Sequence, residues 1–471
     1  MTSATYTTHQ VAKMAGIHKD TLLRWLRDRR VPEPKRNRNG WRVFTEEEAR
    51  AVVNYASSVS ETSVQLRETP TLYLPYSSAI SRLQEIDWDF EDVNTGYLTH
   101  SIHPYPAKFI PQIPKTLIRE LASASDTILD PFCGSGTTLV EALRLECHAI
   151  GIDANPLACL ISRAKTTPIT QKEAEVLFEL SAEIANFGQR AYVGSLPLFP
   201  DLPAFPIPVE RPDFEGIDEW FDQQVIDELA FIKEKCLTLE PKNVRHLALT
   251  AFSSIIVTVS RQDSDTRYVR REKNLKPGDT LQYFSRALSQ VTQRVLELSE
   301  EINSHLNVKV YEANILKPPD IGPVDLVVCS PPYPNAYSYH LYHRTRMLWL
   351  GFNQPKFKQE EIGSHRKYSR KGHNAATVDT FRSELYTILS WLSHTLRSNR
   401  HACFVIGDST LRGETIENDK LLIEVARDIG YQVEANISRR LQSTKKYFNP
   451  VVGKIKDEHI VILRNTTKRR L

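Results

Sequence analysis

The stretch Thr127-Ile128-Leu129-Asp130-Pro131-Phe132-Cys133-Gly134-Ser135-Gly136-Thr137-Thr138 decides the fold. A short apolar run ends in an acid, passes through a glycine loop and opens into the helical pattern of Leu139, Ala142 and Leu143, so a strand turns into a helix. The glycines let backbone amides approach a ligand at the helix N-terminus, and Asp130 at the strand end can accept from a cationic ammonium. A nucleotide-phosphate loop needs Gly-Lys-Ser/Thr and the dinucleotide fingerprint a third glycine at fixed spacing, and neither is written here. Downstream, His148-Ala149-Ile150-Gly151-Ile152-Asp153 is a second strand. It ends in a carboxylate placed to hold the two hydroxyls of a ribose. The implied ligand is a nucleoside carrying an amino acid.

Farther along, Val324-Asp325-Leu326-Val327-Val328-Cys329 runs out into Ser330-Pro331-Pro332-Tyr333. In open parallel sheets ligands sit beyond the carboxyl ends of strands, which puts this tetrapeptide near the glycine loop. Its residue types suit the methylation of an exocyclic amine, whose lone pair is delocalised into the base. Acceptors on both N–H bonds, the Ser330 hydroxyl and a carbonyl freed from ladder pairing by the prolines, redirect that lone pair. Tyr333 offers a flat face to a base lifted from the duplex, a contact worth about 1–3 kcal/mol. Cys133 and Cys329 lack the Pro-Cys setting of a nucleophile that attacks cytosine carbon-5, and read as loop and strand residues.

The motif Asp130 to Thr138 resembles the S-adenosylmethionine-binding motif of DNA amino-methyltransferases, commonly Asp-Pro-Phe-x-Gly-x-Gly-Thr-Thr. Upstream, His100-Ser101-Ile102-His103-Pro104-Tyr105-Pro106-Ala107-Lys108 resembles the segment those enzymes set against the methionine end of the cofactor. The resemblance spans roughly residues 98–465. It implies a Rossmann-like α/β sheet of seven strands, S-adenosylmethionine as cofactor, and a cofactor site of His103, Tyr105, Pro106, Lys108, Asp130, Pro131, Phe132, Gly134, Ser135, Gly136, Thr137, Thr138, Asp153 and Ala154. Lys309 to Leu316 looks like the third strand, and the resemblance leaves Glu312 or Asn314 at its end as the contact to the cofactor's adenine, Asn314 being counted with the cofactor site. The catalytic set is Ser330, Pro331, Pro332 and Tyr333. Serine in that motif accompanies cytosine-N4 methylation more often than adenine-N6. Adenine N6 stays as the alternative, as does a transcription regulator whose methyltransferase body only senses the cofactor.

The N-terminal region is a different module. Residues 1–58 hold eleven Lys/Arg and six Asp/Glu, whereas the whole 471-residue chain carries only +3. A helix after the Thr7-Thr8 cap, a second over Lys19–Arg29 with Leu22, Trp25 and Leu26 on one face, and a hairpin turning at Asn39-Gly40 read as helix-turn-helix plus wing. Thr45 and Glu48 form a capping box that opens a third helix through Tyr55. Residues 6–56 resemble the winged helix-turn-helix of MerR-type regulators and excisionases. That implies double-stranded DNA as partner, with Lys19, Thr21, Arg24, Arg36, Arg38 and Arg42 as contacts.

The expected organisation is this module over 1–58, a linker over 59–97, a cofactor-binding half over 98–168, a mainly helical insertion over 169–305 and a catalytic half over 306–471. Two basic, aromatic-containing segments, Arg261–Lys273 and Lys356–Lys371, are candidates for reading DNA, the latter through Arg366, Lys367 and Arg370. The final apolar stretches, Tyr431–Ile437 and His459–Leu463, read as an antiparallel hairpin at the sheet edge. Six scattered cysteines with no Cys-x-x-Cys pair write neither zinc site nor disulfide framework, and no metal is expected. A run of eighteen apolar residues and a secretion signal are both missing, which fits a cytoplasmic, membrane-free protein. A cognate restriction endonuclease is a candidate partner. Monomer and homodimer are left open.

Overall fold

The computed structural model describes residues 5–15, 22, 25–26, 30–36, 42–61, 78–91, 93–193, 209–335, 337–369, 375–440 and 457–467. Contacts divide the chain into two units, Met1–Tyr76 and Ser77–Leu471.

In the first unit, β1 (Thr5–Thr7), β2 (Lys35–Arg36) and β3 (Arg42–Thr45) form an antiparallel sheet in the order β1-β3-β2. Helix Thr8–Met14 starts from a Thr7 cap completed by Gln10. The Glu46–Glu61 helix starts from the Thr45/Glu48 pair, with Thr45 N donating to Glu48 Oε2 at 2.7 Å and Glu48 N to Thr45 Oγ1 at 3.3 Å. It runs past Tyr55, where it was expected to stop, because no proline or glycine interrupts residues 46–61. Leu22, Trp25 and Leu26 are buried with Val11, Phe44 and Val52. The Asn39-Gly40 turn and most of the second expected helix lie outside the described residues.

The second unit is built on a seven-stranded sheet. Its strands are β4 (Thr127–Asp130) and β5 (His148–Asp153), then β8 (Val308–Glu312), β9 (Val324–Cys329) and β10 (Leu396–Gly407), and last β13 (Tyr431–Arg440) and β14 (Asp457–Asn465). Between them in sequence lie two small hairpins, β6/β7 (Gln262–Ser264, Arg267–Arg270) and β11/β12 (Ser409–Leu411, Glu414–Ile416). The sheet order is β13-β14-β10-β9-β4-β5-β8. All neighbours are parallel except β14, which is antiparallel to both β10 and β13. This is the seven-stranded α/β sheet expected from the resemblance.

Strand β9 is buried at every position, Asp325 included, because both faces of the sheet are covered. Along β9, Leu326 and Val328 join one core with Ile128 and Cys403, while Val327 and Cys329 join the opposite core with Leu129 and Phe404. Helices Gln112–Leu121 and Thr137–Arg144 cover the first face, and Val378–Thr395 and Asn418–Ile429 the second. The insertion has a core of its own, formed by helices Gln171–Val193, Gln223–Leu237, Lys242–Val259 and Asp279–Glu301.

Two local expectations need correction. The 59–97 stretch is not all linker: Ala79–Gln84 is a helix, and Leu83 and Trp88 are buried against Ile113, Leu117 and Ile128. The Trp88 indole donates to Leu83 O at 2.8 Å. Burying each side chain stabilises the unit by about 1.5–3 kcal/mol, which anchors residues 78–91 on the sheet core. Second, residues 337–350, whose aromatic and apolar pattern reads as a single helix, form two, Tyr339–Tyr342 and Arg344–Leu350, meeting at His343.

Candidate active site at the switch point of the sheet

After β4 the chain moves to β5 and then β8 on one side, and β9 returns to the other side of β4. Strand order therefore reverses at β4/β9, and the loops leaving the two carboxyl ends diverge to open a crevice. Register pairs Ile128 with Leu326 and Leu129 with Val327, so the glycine loop and Ser330 emerge side by side. Thr138 Oγ1 donates to Val328 O at 3.4 Å, tying the two together.

The crevice is a cavity of about 830 Å³. Its wall includes Tyr105, Lys108, Pro131, Phe132, Gly134, Ser135, Thr137, Asp153, Ala154 and Asn314 on one side and Ser330, Pro331, Pro332 and Tyr333 on the other. Five other residues of the expected cofactor set do not line it. Asp130 is buried beneath the loop, its Oδ1 accepting from Phe132 N at 3.0 Å, and burial raises its carboxyl to about 7. Gly136 and Thr138 act through the loop's shape and the β9 bond. Pro106 offers its carbonyl to the Tyr339 hydroxyl at 3.5 Å. His103 is a packing histidine: its ring nitrogens meet Pro104 O at 2.7 Å and Ser253 Oγ at 3.0 Å.

The loop's conformation demands its glycines. Gly136 has φ of +81°, and a Cβ there would meet Ser162 Oγ at 2.9 Å and Ser162 Cα at 3.1 Å. Ser162 in turn donates to Gly134 O at 2.7 Å. At the end of β5 the Asp153 carboxylate takes Gly134 N at 2.9 Å on Oδ2 and Asn155 N at 2.8 Å on Oδ1. Each oxygen keeps a lone pair toward the cavity. Burial raises this carboxyl to about 6, against the two backbone N–H bonds that lower it. Asn314, one turn beyond β8, accepts Leu316 N at 2.9 Å and lines the cavity, while Glu312 is exposed and does not.

On the opposite wall the Ser330 hydroxyl has no hydrogen-bond partner among the described residues and borders the cavity. Cys133 and Cys329 are buried, and burial pushes both thiols well above their usual range, which opposes a nucleophilic thiolate.

Two neighbours, Gly363 and Glu361, escaped the sequence reading, whereas Tyr339 and His343 stand out in it as aromatic residues able either to pack or to face a flipped base. Gly363, at φ +73°, lies against the catalytic turn so closely that a Cβ would sit 2.6 Å from Tyr333 O. Tyr339 stacks on Tyr105 with centroids 5.6 Å apart, and His343 closes that stack from behind at 5.1 Å from Tyr105. Glu361 borders the cavity while its Oε2 holds His340 Nδ1 at 2.5 Å. No local pattern in the sequence marks Gly363 or Glu361.

Of the expected DNA contacts, Lys19, Thr21, Arg24, Arg38 and Arg370 lie outside the described residues. Arg36 belongs to β2, and Arg42 pairs with Glu33 at 2.7 Å. Lys367 pairs with Glu384 at 2.6 Å, whereas Arg366 is exposed and lines a separate, neighbouring cavity; neither lines the main cleft. Among the described residues no helix is long and apolar enough to cross a membrane. They do hold one group able to take a cation, Asp408, Asp419 and His459, which the sequence reading did not foresee.

The N6/N4 methylase family model, that of a DNA methylase, matches residues 26–163, a span that includes the glycine loop and Asp153 and ends before β9. Type II methyltransferase M.MvaI of Kocuria varians is 30% identical over 283 residues, 55% of this chain and 59% of that protein. M.BsoBI of Geobacillus stearothermophilus is 24% identical over 303 residues, covering 56% and 55%, and M.MjaII of Methanocaldococcus jannaschii 36% over 112, covering 22% and 21%. The chain thus spans less than two thirds of the length of each of these relatives. Over about half its own length the chain is similar to type II methyltransferases, and its residues 26–163 match the N6/N4 DNA methylase model.

Proposed function

We propose that the chain is a DNA methyltransferase of restriction-modification type that uses S-adenosylmethionine to methylate the exocyclic N4 amine of cytosine. The observation that carries this reading is the shared cavity: a glycine loop with a ribose-holding acid on one wall, and an amine-gripping Ser-Pro-Pro-Tyr turn on the other. The residues fit the cofactor. Asp153 has lone pairs free for ribose hydroxyls, Gly134 lines the cavity and leaves the space a Cβ would fill, and Tyr105 and Lys108 border the region expected to take the amino-acid end. When bound, the cofactor supplies a methyl group on a sulfonium.

The chain's own residues then have three tasks. Tyr333 gives its face to a base rotated out of the duplex. The Ser330 hydroxyl oxygen and the Pro331 carbonyl accept the two amine N–H bonds and turn the nitrogen lone pair toward the methyl group. As the new N–C bond forms, the bond from the methyl to the sulfonium sulfur would break and a neutral thioether would leave, while the amine proton passes to solvent, directly or through the Ser330 hydroxyl, which releases its own proton as it accepts. No covalent enzyme intermediate is needed, and the rate comes from positioning.

Serine at the first position of the turn favours cytosine N4 over adenine N6. The N-terminal unit, with its capped helices and basic strand pair, is proposed as a winged helix-turn-helix that holds duplex DNA, and a restriction endonuclease as the partner in the cell. Ser330→Ala tests the mechanism. It should lower kcat by about 100-fold or more, the scale of a lost transition-state hydrogen bond, while leaving the cofactor Kd within about twofold. Equal loss in both would assign Ser330 to cofactor binding instead.

A further inference from the structure

Beside the main cleft lies a second cavity of about 430 Å³, whose wall carries Arg344, Lys358 and Arg366 with Tyr268, His340 and Gln354. It brings together the two basic segments singled out in the sequence, Arg261–Lys273 and Lys356–Lys371. The two cavities share a wall. Arg267 and Phe357 line the main cleft where their successors Tyr268 and Lys358 line the basic cavity, and His365 and Arg366 divide in the same way.

Among the described residues no carboxylate lines this cavity. Elsewhere on the unit, surface cations are commonly neutralised, as in Lys367–Glu384, Arg382–Glu424 and Arg464–Glu434. Lys358 and Arg366, by contrast, make no ion pair among the described residues, and the nearest carboxylate to Arg344 is that of exposed Glu215 at 3.9 Å. Three cations converging on one concavity without an acid form a receptor for an anion with several oxygens. Arginine forks match the tetrahedral oxygens of phosphate, and lysine adds a point charge.

A base rotated into the main cleft stays tied to its strand, so a phosphate adjoining that nucleotide is carried to the cleft's mouth. We propose that the basic cavity takes one phosphodiester of the DNA strand next to the flipped nucleotide, fixing the strand's position without reading its sequence. This rests on the reading of the main cleft as a DNA methylation site.

The test is binding of a fluorescein-labelled, mixed-sequence DNA duplex of about thirty base pairs to the full chain, by anisotropy across a salt series. Lys358→Gln/Arg366→Gln, both at exposed positions, should weaken binding about tenfold at 0.1 M salt. It should also flatten the slope of log K against log salt by about 0.9, the value for one phosphate. Affinity for S-adenosylmethionine should not change. An unchanged slope overturns the proposal, and so does an equal effect from the same charge loss in Lys172→Gln/Arg427→Gln. An RNA duplex that binds more tightly and carries the larger variant effect overturns the assignment to DNA. Tritiated methyl transfer from the wild-type chain to foreign genomic DNA is scored separately. Transfer with an unchanged slope sinks the phosphate site alone, and a changed slope without transfer sinks the methylation reading alone.

Discussion

Gly363→Ala should slow methyl transfer through a backbone collision rather than through lost stability. At φ +73° an alanine is strained by about 1–2 kcal/mol. Its Cβ would lie 2.6 Å from Tyr333 O and 3.2 Å from Tyr333 C, both backbone atoms that no rotamer change can clear. Reaching even 3.0–3.4 Å requires the Pro332-Tyr333 segment to move by 0.4–0.8 Å. A reacting group misplaced by about 1 Å costs on the order of 100-fold, so kcat should fall about 10- to 100-fold. Gly351 is the matched control: it has φ of +74°, and a Cβ there would meet nothing within 4 Å, so Gly351→Ala carries the same strain without the collision. Both variants should lose similar stability in urea, and only Gly363→Ala should lose kcat in a tritium-transfer assay with genomic DNA, its cofactor Kd staying within about twofold. If both variants slow the reaction alike, or Gly363→Ala keeps wild-type kcat, Gly363 does not position the turn.

Trp88→Ala should destabilise the second unit by about 3–5 kcal/mol, measured as a lower urea midpoint, because the side chain is buried against the sheet core. A loss below about 0.5 kcal/mol would match a surface site and would restore the linker reading of that stretch. Asp130 sets a pH dependence. Its folded carboxyl, at about 7, lies above the ordinary aspartate value of 3.8, so between those values the folded chain holds a proton that the unfolded chain has released. Its contribution to stability therefore falls as pH rises from about 4 to 7, and the penalty is complete above that window. Asp130→Asn should shrink the drop in urea midpoint between pH 5 and pH 8, and an unchanged drop would place the titration elsewhere.

The parts of the site legible in sequence are those carried by local chemistry. The glycine loop, Asp153 and Ser-Pro-Pro-Tyr each occupy a strand end, where the run of apolar residues and the following turn residues announce the geometry within about ten positions. The sheet order was not local, yet the position of β9 beside β4 follows from where a crevice must form for both loops to be used. What stayed hidden depends on approach between distant segments. Gly363 needs φ above zero only because Tyr333 lies against it, and nothing around Gly363 in the chain says so. Residues 78–91 looked like spacer because two buried side chains, Leu83 and Trp88, do the anchoring within a polar stretch. His103 reads as a site residue by its motif, but its partner Ser253 lies 150 residues away. The joining of two basic segments around one cavity is tertiary in the same sense.

Mass spectrometry of nucleosides from foreign DNA, incubated with the chain and S-adenosylmethionine carrying a deuterated methyl group, tests the enzymatic reading most directly. Labelled N4-methylcytosine is the expected product, and it should disappear with Ser330→Ala. Labelled N6-methyladenine would move the target base while keeping the amine chemistry. Labelled 5-methylcytosine, or no labelled nucleoside from a chain that binds both cofactor and DNA, would contradict the assignment.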